Sequence, residues 1–490
     1  MMRTTLREAF DQACTIPCMQ SELSSTRCAL CGREFAPESS QDRVCAECAA
    51  KLQSAPRPEP PSLYSRLLRS PTFYVILANV AVYVAITASG ASPINPSVDV
   101  LLRWGANSGG YTVGGEWWRL VTSMFLHGGI VHLALNMWAL LNLGLLAELL
   151  FGDLPFIGMY FACGICGSLA SLCWRGESVA VGASGAIFGI AGALLPALAL
   201  HPNLRVRRAL RSQLGSIALF VFYNLVFGAG AAGIDNAAHV GGLVCGIILG
   251  AILPTVRSGT AAGRKLRDVA AVLISIALFA GGAFGAMRNN RASVALRRAS
   301  DAAQAGDFQQ ALRFANQAAA SAPDNARAQY LLGMVHLEAK QPELAIAPLE
   351  RATKLRSDWG PAFGQLCLAQ AETGDAKSAI PNCVRAAQLD PKNSAEYFNL
   401  GLTYQQDKQY TAAAEAFRRA AALNPEGVDE NYSLGIALLQ AGKLPDAVDP
   451  LSKAVRLDPK NANARRALVH ALTVTGRDLE AAEIARGKTP

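Results

Sequence analysis

Charge is scarce in this 490-residue chain: 17% of residues are Asp, Glu, Lys or Arg, against about 25% in soluble proteins. The scarcity is local. Residues 71–287 hold 18 of the 82 charged side chains, and the remaining residues hold the other 64. The middle is therefore membrane-like and both flanks look soluble. That split excludes a single soluble globule, and it excludes a disordered chain. The first 70 residues contain no long apolar run near their start, so no cleavable signal peptide is expected. Histidine is rare as well, with six in the chain. The net charge of +8 does not point to nucleic acid, because its arginines form short clusters, several of them beside apolar segments. At roughly 150 residues per domain, about three domains are expected.

Twelve cysteines do not form one framework. Six precede Lys51, four lie in apolar segments, and two lie far downstream. In residues 1–53, Cys28-Ala-Leu-Cys31 is followed, thirteen residues on, by Cys45-Ala-Glu-Cys48. Two such knuckles place four thiolates for a tetrahedral, closed zinc site of the zinc-ribbon type, structural in role. Cys14 and Cys18, at CxxxC spacing, are a weaker pair that fits free thiols. Residues 54–70 begin with a Pro-rich linker, Ser54-Ala-Pro-Arg-Pro-Glu-Pro-Pro-Ser62, of extended type.

Seven apolar segments follow, near 71–89, 130–150, 154–174, 183–200, 212–231, 237–254 and 268–287. Each has the roughly 17–25 residues a spanning helix needs, and helices satisfy their own backbone in lipid. Arg66 and Arg69, then Arg205, Arg207, Arg208 and Arg211, then Arg257, Arg264, Lys265 and Arg267 fall on one side. That side should be cytoplasmic, as should the N-terminus.

Residues 291–490 repeat with a period of 34. Ala311, Ala345, Ala379, Ala413 and Ala447 share one register, and Ala318, Ala352, Ala386, Ala420 and Ala454 another. Pro323, Pro391, Pro425 and Pro459, with Ser357 in the gap, keep the same spacing, as do Leu332-Gly333, Leu400-Gly401 and Leu434-Gly435. The pattern resembles the tetratricopeptide repeat, a two-helix unit with small residues where its helices cross. About five repeats and a partial sixth form an α-solenoid, expected to bind a protein or peptide.

Ionisable groups within membrane helices are costly, so each is a functional candidate. His127, His132 and His239 fall in or beside spans. Asn136 follows His132 on the same face, and Gly182-Ala183-Ser184-Gly185 opens the fourth span. With the N-terminus inside, His132, Asn136, Ser184 and His239 all lie at similar depth in the outer leaflet. Gly185 and Gly189, and Gly242, Gly246 and Gly250, form small-residue faces on which helices approach closely. Ser184 then reaches His239, whose imidazole can take the hydroxyl proton. Asn136, the His132 ring and the Ser184 backbone N–H are candidates to stabilise an oxyanion. No aspartate obviously completes a triad; Asp235, four residues before His239, is expected in the outer loop.

These residues carry a resemblance to the rhomboid family of intramembrane serine proteases. Glu116-Trp117-Trp118-Arg119, Phe125-Leu126-His127, His132-Leu-Ala-Leu-Asn136, Gly144 to Glu148, Gly182-Ala183-Ser184-Gly185 and Ala238-His239-Val-Gly-Gly242-Leu-Val-Cys-Gly246 match the family's motifs in order. The resemblance covers roughly 66–256. It implies an all-α polytopic membrane protein with a six-helix core (71–256), a Ser184 nucleophile and a His239 base. It also implies cleavage of membrane-anchored proteins within or near their transmembrane segment, with no cofactor for catalysis. Where some members carry a tyrosine that packs on the histidine, this chain has Phe188. A seventh helix lies in 257–290, outside that core. A multi-pass protein of a bacterial inner or plasma membrane is expected, with the repeats outside. The alternative is a rhomboid-fold protein that binds membrane clients without cleaving them. A metalloprotease reading lacks an HExxH sequence.

Overall fold

The computed structural model describes residues 68–174, 178–201, 203–228, 234–253 and 260–490, together with Arg33, Glu47, Cys48 and Ala50. Among the described residues the chain is helical, with one isolated bridge between Asn107 and Ala180. It divides into two compact units: residues 1–108 with 115–286, and residues 109–114 with 287–490.

Among its described residues the first unit contains six long helices and most of a seventh: α1 Pro71–Ala88, α2 Ile130–Phe151, α3 Asp153–Trp174, α4 Ser184–Ala199, α5 Arg211–Gly228, α6 Asn236–Ile252 and α7 Ala261–Asn289, whose last three residues belong to the second unit. Every apolar segment read from the sequence falls on one of them, but not all have the expected length. Helices α1, α2, α3 and α7 are long and apolar enough to cross a membrane. Helices α4 and α6 are apolar but only 16 and 17 residues long, and α5 opens on the polar run Arg211-Ser212-Gln213. Helix α7 begins before its apolar stretch, so Arg264, Lys265 and Arg267 belong to the helix and not to the loop assigned to them. No proline lies between Ala261 and that stretch, Gly263 falls within the first turn, and a started helix propagates.

Helix α4 is the centre of this unit. Twelve of its sixteen residues are buried, and it packs against α2, α3, α5 and α6. Its contact with α6 is the closest. A Cβ on Gly242 would overlap the Gly185 carbonyl oxygen, one on Gly246 that of Gly189, and one on Gly250 that of Ala193. The small faces read from the sequence thus meet backbone to backbone, one turn after another.

Two buried charges fix the ends of the unit. Arg119, 5% exposed, bonds Glu116 through Nε and Nη2 at 2.8 and 2.7 Å. Its Nη1 donates to the Leu102 and Ala106 carbonyls, so the loop between α1 and α2 is tied around one guanidinium. Glu148 accepts from the Ser70 hydroxyl at 2.8 Å and from the Thr72 backbone N–H at 2.6 Å. It therefore satisfies the N-terminus of α1 from the far end of α2.

The second unit carries the repeats. Helix pairs recur from Arg291–Gln304 with Phe308–Ser321 to Ala462–Val474 with the shorter Asp478–Ala485, the partial sixth repeat. All ten register alanines are fully buried at 0% exposure, which leaves no room for a larger side chain there. A Cβ on Gly333, Gly401 or Gly435 would strike Leu349, Phe417 or Leu451 on the partner helix. In the third repeat both partners of that contact change together. Cys367 stands where the second, fourth and fifth repeats have Gly333, Gly401 and Gly435, Cys383 stands where they have Leu349, Phe417 and Leu451, and the two form a disulfide with Cα atoms 5.2 Å apart.

A covalent bond thus replaces a packing contact. Its loop spans 16 residues, and closing such a loop contributes about 3 kcal/mol. Reduction is expected to lower the thermal midpoint of the repeats, and Cys367 and Cys383 to react with a thiol reagent in the unfolded protein only after reduction. Equal labelling without reductant contradicts this.

Candidate active site

Ser184 is the first residue of α4. The turn before it needs a left-handed backbone at Gly182, φ +123°, and its amide is held by the Ser123 carbonyl at 2.9 Å. His239 stands in the first turn of α6, 7% exposed. The glycine-lined contact of α4 with α6 brings Ser184 Oγ to 2.9 Å from His239 Nε2. Phe188, one turn below Ser184, lies flat on the imidazole with centroids 4.2 Å apart and planes 2° apart. The ring packing expected at Phe188 is present, and it fixes the plane in which Nε2 meets the hydroxyl.

His132 borders the same point. A Cβ built on Gly182 would lie 3.0 Å from His132 Nε2 and 3.8 Å from Ser184 Oγ. The Gly128 backbone N–H faces His132 Nδ1 at 3.4 Å. As Nδ1 accepts there, the ring proton sits on Nε2, the nitrogen on the Gly182 side. His127 packs edge-on against His132 at 5.1 Å. Asn136 is buried, and its amide donates to the His132 carbonyl at 3.0 Å. The structure therefore unites Ser184, His239 and His132, with Asn136 one turn behind.

Asp235 stands just before α6 as its N-cap, its Oδ1 accepting the Ala238 N–H at 3.1 Å. The signal was in the sequence: an aspartate ahead of an apolar helical run is a capping pattern. The role of Glu148 was visible only as a motif match, since its partners are distant in the chain; for Arg119 the pairing with Glu116 is local, but its bonds to the Leu102 and Ala106 carbonyls are not.

Of the four cysteines assigned to zinc, Cys28, Cys31 and Cys45 lie outside the described residues.

A Rhomboid domain matches residues 114–255, and Tetratricopeptide repeat matches cover 296–360, 366–428, 398–462 and 432–487. The chain is 32% identical over 199 residues to Rhomboid protease AarA of Providencia stuartii, covering 36% of this chain and 70% of that protein. It is 30% identical over 338 residues to Rhomboid protease GluP of Bacillus subtilis, covering 68% of this chain and 57% of that one. RHOMBOID-like protein 5 of Arabidopsis thaliana is 36% identical over 162 residues, covering 33% of this chain and 52% of its own length. The chain thus spans little more than half of these last two relatives. Among solved structures, MamA is similar at 24% identity and a TM-score of 0.33, covering 35% of this chain and 94% of that one. The chain belongs to the rhomboid family and carries tetratricopeptide repeats.

Proposed function

We propose that this protein is an intramembrane serine endopeptidase, cleaving membrane-anchored proteins within or near their transmembrane segment. The observation that carries this reading is the 2.9 Å contact of Ser184 Oγ with His239 Nε2. As Nε2 takes the hydroxyl proton, Oγ attacks the scissile carbonyl. The oxyanion faces the His132 Nε2–H, the Asn136 amide and the start of α4, whose dipole favours negative charge. His239 then passes the proton to the leaving amine, and a water repeats the sequence to release the acyl product. Helix length supports the intramembrane setting: sixteen residues of α4 extend about 24 Å, less than a hydrocarbon layer of about 30 Å, so a bilayer around α4 encloses at least one of its ends. The test is a serine-directed fluorophosphonate. Covalent labelling that maps to Ser184 is expected, and absence of labelling in folded protein contradicts the reading.

The N-terminal segment is proposed to hold one structural zinc on Cys28, Cys31, Cys45 and Cys48. Arg33, just past the first knuckle, pairs with Glu47, inside the second, at 3.1 Å, which supports their approach. Metal analysis of the reduced, freshly purified full chain should give about one zinc, lost on replacing Cys28; a zinc-free protein sinks the assignment. Cleavage should persist without residues 1–60.

The repeats are proposed to lie outside, where they take the outer domain of a substrate and raise its concentration at Ser184. Two observations support that side. Near its C-terminal end α7 sets Gly282 against Leu169 and Gly285 against Cys173, near the C-terminal end of α3, from which the chain leads to Ser184. The Cys367–Cys383 disulfide suits an oxidising compartment. A cysteine placed on the repeat surface should react with an impermeant thiol reagent on intact cells; labelling only after lysis would put the repeats inside.

A further inference from the structure

The dyad uses one nitrogen of His239 and leaves the other unexplained. With the Ser184 hydroxyl donating to Nε2 at 2.9 Å, the ring proton resides on Nδ1. That atom is buried and has no hydrogen-bond partner among the described residues. A buried donor left unpaired keeps the full cost of its lost hydration. One turn earlier on the same helix, Asp235 uses Oδ1 to cap α6. Its Oδ2 is also buried and also lacks a partner. A carboxylate has lone pairs on both oxygens, so capping does not exhaust it. The first turn of α6 therefore holds a donor without an acceptor and an acceptor without a donor. They belong to the N-cap residue and to a residue of the first turn of one helix, and the Asp235 carboxylate acts electrostatically on His239.

We infer that Asp235 is a positioning residue for catalysis: its Oδ2 accepts, through one bound water molecule, the Nδ1–H of His239, which makes the dyad a water-bridged triad. The inference rests on the reading of Ser184 and His239 as nucleophile and base. A buried water needs two or more polar partners, and these two atoms supply them. The bridge keeps the ring proton on Nδ1, so that Nε2 is free to accept from Ser184. It also sets a negative charge beside the imidazolium that forms when Nε2 takes the proton. His132 of α2 is the other ionisable group that acts on His239, and it carries no negative charge. Asp235 takes no proton at any step.

Capping and catalysis are separable because Asn and Ser cap a helix about as well as Asp but carry no carboxylate. The experiment uses the full chain in detergent and measures the rate of Ser184 phosphonylation by a fluorophosphonate, per folded molecule, as a function of reagent concentration. In Asp235→Asn and Asp235→Ser the maximal rate is expected to fall about 10- to 100-fold. This is less than the loss of a direct triad aspartate, because a water intervenes. Half-saturation should change less than about twofold and the thermal midpoint should hold, since the cap survives. An Asp235 that serves only as the cap predicts an unchanged midpoint and an unchanged rate per folded molecule. That result, or a wild-type rate in either variant, overturns the inference. A wild-type chain that is folded and unlabelled contradicts the dyad itself, which is a different failure.

Discussion

Ser184→Ala is expected to abolish cleavage while the chain still inserts and folds. The start of α4 does not depend on this side chain: Ala183 is its cap and makes no side-chain bond. What is lost is the atom that attacks, and removing a nucleophile of this kind lowers the rate by at least about 10⁴-fold. His239→Ala should lose as much, because without a base the hydroxyl is a weak nucleophile. The two losses should not add, since either residue alone is idle. Asn136→Ala should cost less, about 10²–10³-fold, the size expected for one oxyanion donor. The measurement is cleavage of a single-span reporter, normalised to folded protein. Full activity in Ser184→Ala would eliminate the mechanism.

The second large effect is expected far from the hydroxyl. Gly246 lies seven residues, about two turns, after His239 on α6. A Cβ there overlaps the Gly189 carbonyl oxygen of α4, which is backbone and cannot rotate away. Gly246→Val must push α6 off α4 and carry His239 with it. A shift of about 1 Å in a catalytic group costs about 10²-fold, and overpacking at such a contact destabilises by about 1–3 kcal/mol. Gly281→Ala in α7 is the control, because a Cβ there meets nothing within 4 Å. Cleavage and thermal unfolding of both variants in detergent check this. Wild-type activity in Gly246→Val would show that the glycine contact does not hold the dyad together.

The meeting of Ser184 with His239 was legible in the sequence because chain order alone puts the starts of α2, α4 and α6 at one end of the bundle. Four polar residues at those starts mark a site that hydropathy does not require. The repeats were legible for a different reason: ten alanines in one period of 34 record a helix crossing that tolerates nothing larger, and all ten are fully buried. Less legible was whatever depends on pairing across the chain. Glu148 bonds Ser70 and Thr72, more than seventy residues away, and no local pattern announces that. Cys367 and Cys383 stand out in the sequence as two cysteines far downstream. That their disulfide stands in for a glycine packed against a large residue emerges only when the second to fifth repeats are compared in space. Helix ends were misread where charge and helix overlap, as at Arg264, Lys265 and Arg267 in α7, because hydropathy marks the lipid layer and not the last hydrogen bond.

The most direct measurement is made with the full chain in liposomes beside a single-span reporter, with the products mapped by mass spectrometry. Cleavage of one peptide bond within or next to the span is expected, insensitive to a metal chelator and stopped by a fluorophosphonate bound to Ser184. Cleavage that survives phosphonylation of Ser184, or that stops with the chelator alone, contradicts a serine mechanism at this site.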